Sequence, residues 1–327
     1  MLRKLRIIAA TIFFALITLL FLDFTGTLHA WFGWLAKIQF LPAVMALNVG
    51  VIVLLVALTL LFGRVYCSVI CPLGVMQDVI AWMGKKSKKN RYTYSPAKTY
   101  LRYGVLALFV VLMVAGFASI AILVAPYSAF GRIAQNLFAP LYAWGNNLLA
   151  YFAERVDSYT FYSTEVWIRN FATLGVAAVT LVVLAVLAWR NGRTYCNTIC
   201  PVGTVLGFLS RFSLLKPVID TEKCINCNIC SKNCKAACID IPNHKIDYSR
   251  CVACMDCIDT CKDGAIHYAY RYGKKAEAPK TDAGQTNAGR RAFMTSAVIA
   301  STAAAVKAQE MKVDGGLADI ARAQKPE

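Results

Sequence analysis

The sequence predicts an α-helical integral membrane protein, with four transmembrane helices in two parallel repeats, joined to a small α+β module rich in cysteine. Three observations carry that prediction. Of 327 residues, 58% are hydrophobic, and the apolar ones gather in four blocks near the length that crosses a bilayer, about 20 residues. One motif occurs twice, at 63–74 and 192–203, each copy just past an apolar block. Two further cysteine runs stand in tandem behind the second copy.

The apolar blocks lie at 7–22, 41–62, 104–125 and 171–189. The first is short, but Asp23 and Phe24 follow it where a signal peptide would have small residues, so it reads as a retained helix. Basic residues orient the blocks. Arg3, Lys4 and Arg6 precede the first. Arg64, Lys85, Lys86, Lys88, Lys89, Arg91, Lys98 and Arg102 separate the second from the third, opposed by Asp78 alone. Between the third and fourth, Arg132, Arg155 and Arg169 are balanced by Glu154, Asp157 and Glu165. The positive-inside bias therefore puts both ends of a four-helix unit, residues 1–215, in the cytoplasm, with 23–40 and 126–170 outside. The net charge of +17 is mostly this topology signal, so no nucleic-acid partner is invoked. Residues 126–164 read as amphipathic helices on the outer surface. The alternative there is a quinone pocket with Arg132, Gln135 and Asn136 as its polar contacts.

The repeated motif is G-R-x-Y-C-x-x-I-C-P-x-G. Proline suits the first position of a helix, and the residue before it avoids the α region. Cys71 and Cys200 are thus expected at the N-terminal ends of short helices, the first spanning 72–83. The helix dipole and the nearby Arg64 and Arg193 would ease loss of the thiol proton. A two-fold relation between the halves, about an axis along the membrane normal, would bring Cys67, Cys71, Cys196 and Cys200 together. That quartet is a candidate third metal or Fe–S site; redox-active thiols and a small-residue turn are the other readings.

The tandem runs are Cys224, Cys227, Cys230, Cys234 and Cys251, Cys254, Cys257, Cys261, each C-x2-C-x2-C-x3-C. This spacing wraps three thiolates round one [4Fe–4S] cube and sends the fourth to its neighbour. Cluster one is assigned Cys224, Cys227, Cys230 and Cys261, and cluster two Cys251, Cys254, Cys257 and Cys234. Zinc sites more often pair two C-x2-C hooks or use histidine, and cysteines two residues apart in a tight turn make awkward disulfides. Lys235 and Lys262 stand where proline usually follows the fourth cysteine. They are expected to alter the local geometry and to favour the reduced clusters. Cys238 reads as a small buried residue. This module is placed at 216–272.

Beyond it, 273–289 is a polar linker and 290–327 opens with a twin-arginine-like Arg290-Arg291-Ala292-Phe293-Met294. The alanine-rich stretch behind reads either as a fifth span or as an amphipathic helix, and the polar tail as the end of a fragment. Three histidines, His29, His244 and His267, lie outside the apolar blocks, so a bis-histidine membrane haem cannot be built from this chain. No P-loop or dinucleotide fingerprint occurs.

Two C-x3-C-P motifs on paired spans, followed by a tandem ferredoxin, resemble the NapH/NosR-type membrane polyferredoxins over residues 1–272. The resemblance implies a multi-pass protein of the bacterial inner membrane, with its N-terminus and ferredoxin module in the cytoplasm. It implies electron transfer between menaquinol or ubiquinol, or cytoplasmic donors, and a partner reductase or other redox subunits. The flavin-binding domain of the NosR branch has no counterpart here. A related branch with the same motifs assists copper delivery to cytochrome oxidase. Copper handling by the four motif thiols, soft enough for Cu(I), is therefore the alternative function.

Overall fold

The computed structural model describes residues 1–23, 26–86, 92–155, 163–164 and 170–270. Residues Met1–Gly273 form one compact unit. The linker and twin-arginine segment expected further on lie outside the described residues.

Helix α1 (Leu2–Leu22) is unbroken, as the first apolar block predicts. Short helices α2 (Thr27–Phe32) and α3 (Trp34–Lys37) follow. The second block does not form one helix. It divides into α4 (Phe40–Met45) and α5 (Val49–Phe62) at Leu47, whose φ is 51°. Asn48 restarts the chain as an N-cap, accepting from the Val51 N–H. After α6 (Val65–Val69) and α7 (Pro72–Lys86), the third block divides likewise. Here α8 (Thr99–Val114) and α9 (Ala118–Val124) part at Gly116, φ 84°, a conformation open to glycine without penalty. With 14 and 16 residues, α5 and α8 reach about 21 and 24 Å, short of a bilayer core, and α4 doubles back beside α5 so that the Phe40 N–H reaches Tyr66 Oη.

Helix α10 (Pro126–Ile133) leads through a π-helical turn at Ala134–Phe138 into α11 (Ala139–Glu154). The long α12 (Phe171–Asn191) is the fourth block, and α13 (Thr194–Thr198) and α14 (Pro201–Ser210) complete the helical part. Among the described residues two helices, α1 and α12, are long and apolar enough to cross a membrane, with mean hydropathy 2.5 and 2.6. Only 17% of each apolar window is buried within the chain. A soluble core helix would hide most of that surface.

The surface reading for 126–164 fails at α10, which packs against α7 and α12. Ala129, Phe130 and Ile133 are buried. Phe130 meets Phe14 and Phe21 of α1 edge to face, with ring centroids 5.5 and 6.0 Å apart. Gly131 allows the approach, since a Cβ there would sit 3.0 Å from the Phe21 ring. In the remaining packing the halves cross over: α7 lies on α12, and α14 lies on α5. In the same way α1 covers α6 and α7, while α8 covers α13 and α14.

The C-terminal module is α+β, as expected. Strand β1 (Leu215–Ile219) pairs antiparallel with β4 (Ile266–Tyr270), Leu215 opposite Tyr270. Between them lie α15 (Ile229–Asn233), the hairpin of β2 (Ile239–Asp240) with β3 (Lys245–Ile246), and α16 (Asp256–Thr260). Buried polar bonds tie the module to the helices. Arg102, at the start of α8, donates to the Ser249 Oγ and carbonyl at 3.0 and 3.1 Å. Ser210 Oγ donates to the Tyr248 carbonyl at 2.6 Å.

Candidate metal centres

Each repeat turns on its first glycine. Gly63 ends α5 with φ 75°, and Gly192 ends α12 with φ 63°, where a side chain would be strained. The tyrosines then anchor the turns. Tyr66 Oη accepts from the Phe40 N–H and donates to Gln39 Oε1, while Tyr195 Oη donates to the Val124 carbonyl. Cys67 and Cys196 sit on α6 and α13. Cys71 and Cys200 immediately precede the prolines that open α7 and α14.

The structure brings these four cysteines together. Cys200 lies within electrostatic reach of Cys196, Cys67 and Cys71, and every one of the four is buried. Their arginines cross between the halves. Arg64 Nη2 donates to the Cys196 carbonyl at 3.2 Å, and Arg193 Nη1 donates to the Cys67 carbonyl at 2.7 Å. The same nitrogens stand 3.9 and 4.0 Å from Cys67 Sγ and Cys196 Sγ respectively. The last glycine of each motif makes room for this exchange. A Cβ on Gly74 would meet the Cys67 carbonyl at 2.2 Å, and one on Gly203 the Cys196 carbonyl at 2.1 Å.

Helix ends and arginines were expected to acidify these thiols, and the structure reverses the balance. Burial pushes Cys71 and Cys200 up, and the neighbouring sulfurs add to it. The amides of Gly74 and Gly203, the latter donating to Cys200 Sγ at 3.3 Å, oppose the rise without cancelling it. A freely reactive thiol is exposed and acidified; these are neither. Buried thiols of this kind lose their protons to a bound metal. Among the described residues no three His, Cys, Asp or Glu groups converge as they would on a single ion. A cube of four irons carries its thiolates on separate metals and accepts wider spacing.

The tandem runs also assemble. Cys230 has Cys227, Cys261 and Cys224 around it, and burial pushes its thiol up to about 11. Cys257 has Cys254, Cys251 and Cys234 within electrostatic reach, and beyond them Cys230 of the other run. In both runs the residues flanking the second cysteine are left-handed: Asn226 and Asn228 in one, Ala253 and Met255 in the other. This repeated turn folds three thiols onto one side. Cys227 is exposed, with Cys224 and Cys261 half-buried, whereas Cys254, Cys257 and Cys234 are buried. Cys230 of the first quartet is buried and Cys251 of the second half-buried, so the first quartet is the more open of the two.

Two features here go beyond what the sequence suggested. Cys238 fills space, and its Sγ also lies 3.5 Å from Cys234 Sγ. The Cys238 thiol, with the amides of Ala236, Ala237 and Cys238, draws the Cys234 thiol below its ordinary pKa. Lys235 carries its charge next to the second quartet but spends it on Asp256 at 3.0 Å and Asp78 at 3.6 Å. Asp78, the lone acid of a basic stretch, also accepts from Arg6 at 2.9 Å and Arg193 Nε at 2.8 Å. Burial works against its charge, but Arg193, Lys235 and Arg6 outweigh that and hold the carboxyl well below the usual range.

A model of the 4Fe–4S binding domain matches the chain twice, at 44–90 and 171–219. Those stretches are the two C-x3-C-P units with their preceding helices, and they stop short of Cys224. The chain thus carries two matches to one 4Fe–4S binding domain. Its relatives include the methylamine utilization ferredoxin-type protein MauN of Paracoccus denitrificans, 28% identical over 60% of this chain and 55% of that protein. The ferredoxin-type protein NapH of Haemophilus influenzae is 25% identical over 58% and 53%. The regulatory protein NosR of Stutzerimonas stutzeri is 24% identical over 57% and 22%. The chain is thus similar to ferredoxin-type proteins of the NapH and MauN kind and, over a smaller share, to NosR. The match spans about half the length of MauN and NapH. No solved structure matches.

Proposed function

We propose that the chain is a membrane-bound iron–sulfur electron carrier, passing electrons between the quinol pool or cytoplasmic donors and a respiratory partner. Three quartets would hold clusters: Cys224, Cys227, Cys230 and Cys261; Cys251, Cys254, Cys257 and Cys234; and Cys67, Cys71, Cys196 and Cys200. The observation that carries the reading is the third quartet, four buried thiols clamped by arginines exchanged between two 4Fe–4S binding domains. A bound [4Fe–4S] cluster supplies reversible one-electron storage, which suits exchange with a two-electron quinol.

The protein's own part is to exclude water and hold compensating charge. Arg64 and Arg193 stand beside the third quartet, and two guanidinium groups there favour a site of net negative charge over a bare cation. Arg64 also donates to the Ser249 carbonyl at 3.1 Å, linking that quartet to the loop before Cys251. The exposed Cys227 marks the first quartet as the face for a soluble donor or a partner subunit. For quinol, a crevice of about 370 Å³ between α1 and α7 suits the head group better than Arg132. It joins apolar Ile7, Val79 and Trp82 to Arg6 and Asp78. Arg132 is spent on the carbonyls of Ile122 and Leu123. In this reading the helices cross the bacterial inner membrane four times as two parallel repeats, with the N-terminus and ferredoxin module cytoplasmic.

The test is anaerobic iron and sulfide content with EPR, on the wild type and on Cys67→Ser with Cys200→Ser. The tandem ferredoxin alone needs about eight irons. We expect roughly twelve in the wild type and loss of only the surplus four in the variant. An unchanged eight in both would sink the third cluster and turn attention to copper at those thiols.

A further inference from the structure

On the module's flank lies a cavity of about 300 Å³, between the 92–98 loop, the junction of α12 with α13, and the Ala236–Ala237 turn behind Cys234. Its lining carries Lys98, Arg190 and Arg250 and, among the described residues, no carboxylate. Lys98 and Arg190 are exposed cations with solvent to stabilise them. Arg250 is different: it is 5% exposed. Asp247 takes its Nε at 2.8 Å, yet its Nη2 is buried with no acceptor. Arg250 lines the cavity beside the two exposed cations.

We propose that this cavity binds a phosphate ester. The wall supplies three positive charges and, among the described residues, no carboxylate, so the occupant it suits is an anion. A guanidinium is the planar donor whose geometry matches phosphate oxygens. The volume is larger than a simple ion needs and leaves room for the ester substituent. The position narrows the source. Arg190 lies in the last turn of α12, and Lys98 is the N-cap residue of α8, so the mouth opens where two apolar helices meet water. Phospholipid head groups occupy that level and basic pockets between helices recruit them. A soluble phosphate ester carries the same chemistry. The ligand would rest against the turn whose amides bond Cys234, next to the second quartet.

The experiment uses the cluster-loaded full chain. Inorganic phosphate is titrated by calorimetry, and phosphatidylglycerol retention is read by native mass spectrometry from nanodiscs of phosphatidylcholine with and without it. Two variants are compared, Arg250→Gln and the surface pair Lys98→Gln with Arg190→Gln, with iron content confirming the fold of each. Arg250→Gln should weaken binding about tenfold, the loss of one charge-assisted hydrogen bond, and the surface pair by a similar factor. Phosphate binding lost in the variants assigns a soluble ester. Phosphatidylglycerol retention lost in the variants, without phosphate binding, assigns the lipid head group. If neither probe binds, or both variants bind as the wild type does, the proposal is overturned.

Discussion

Replacing Asp78 by asparagine removes one carboxylate from three cations, of which Arg6 and Arg193 lose their carboxylate partner and Lys235 keeps Asp256. Arg6 comes from α1, Arg193 from the α12–α13 turn and Lys235 from the ferredoxin module, so this single side chain pins three parts of the protein. Breaking a buried ion pair from one side costs about 3–5 kcal/mol, because the remaining charge keeps its desolvation penalty. For a unit of this size, ~2 °C per kcal/mol puts the fall in apparent Tm at roughly 6–10 °C, followed through the visible Fe–S absorbance. Asp78→Glu, which keeps the charge, should recover much of it. The pH dependence has a fixed sign. The folded pKa is depressed, so the stabilisation is complete above the unfolded value of about 3.9 and is lost only as acid titrates the folded carboxylate. The gap between Asp78→Asn and the wild type should therefore be flat from about pH 5 to 8 and close only in stronger acid. A gap under about 1 °C, or one that shrinks between pH 8 and 6, would refute the reasoning.

Gly203→Ala places a Cβ against the Cys196 carbonyl at 2.1 Å and Arg64 Nη2 at 3.0 Å. Forcing that contact apart should cost about 1–3 kcal/mol and shed the surplus irons while the ferredoxin signals persist, as EPR and iron analysis would show. Cys238→Ala removes the thiol that bonds Cys234 Sγ. Iron content should hold, while loss of a hydrogen bond worth about 1 kcal/mol lowers one cluster potential by roughly 40 mV, read by redox titration.

What the sequence disclosed was whatever is written in spacing. The cysteine motifs are legible as C-x3-C-P and C-x2-C-x2-C-x3-C, and cysteines of each motif type lie within electrostatic reach of one another. The α+β character of the module and the continuous α1 and α12 were equally legible. Hydropathy averaging hid the breaks at Leu47 and Gly116, because apolar residues on both sides keep the window high whether or not the backbone stays helical. Asn48 and Gly116 were the available signals. Apolar content likewise could not separate an interfacial α10 from a buried one; Ala129 and Gly131, small enough for contact with α1, decide that only in three dimensions.

Charge was where sequence reasoning fell furthest short. Arg64, Arg102 and Asp78 all entered as topology signals, yet all three are buried and bonded across long stretches of chain. Counting charges cannot distinguish a lysine in water from a guanidinium spent on a carbonyl, because the difference lies in which backbone group has been left without a partner. The duplicated Arg offered the one clue. An arginine fixed three residues before a cysteine in both repeats has a local job, and the structure shows it serving the opposite half. Arg64 holds the Cys196 carbonyl and Arg193 the Cys67 carbonyl while each stays beside the sulfur of its own repeat, so each thiol turn is completed by the opposite half. A site built this way cannot form until both halves have folded and met, which ties insertion of a cofactor there to assembly of the whole helical unit.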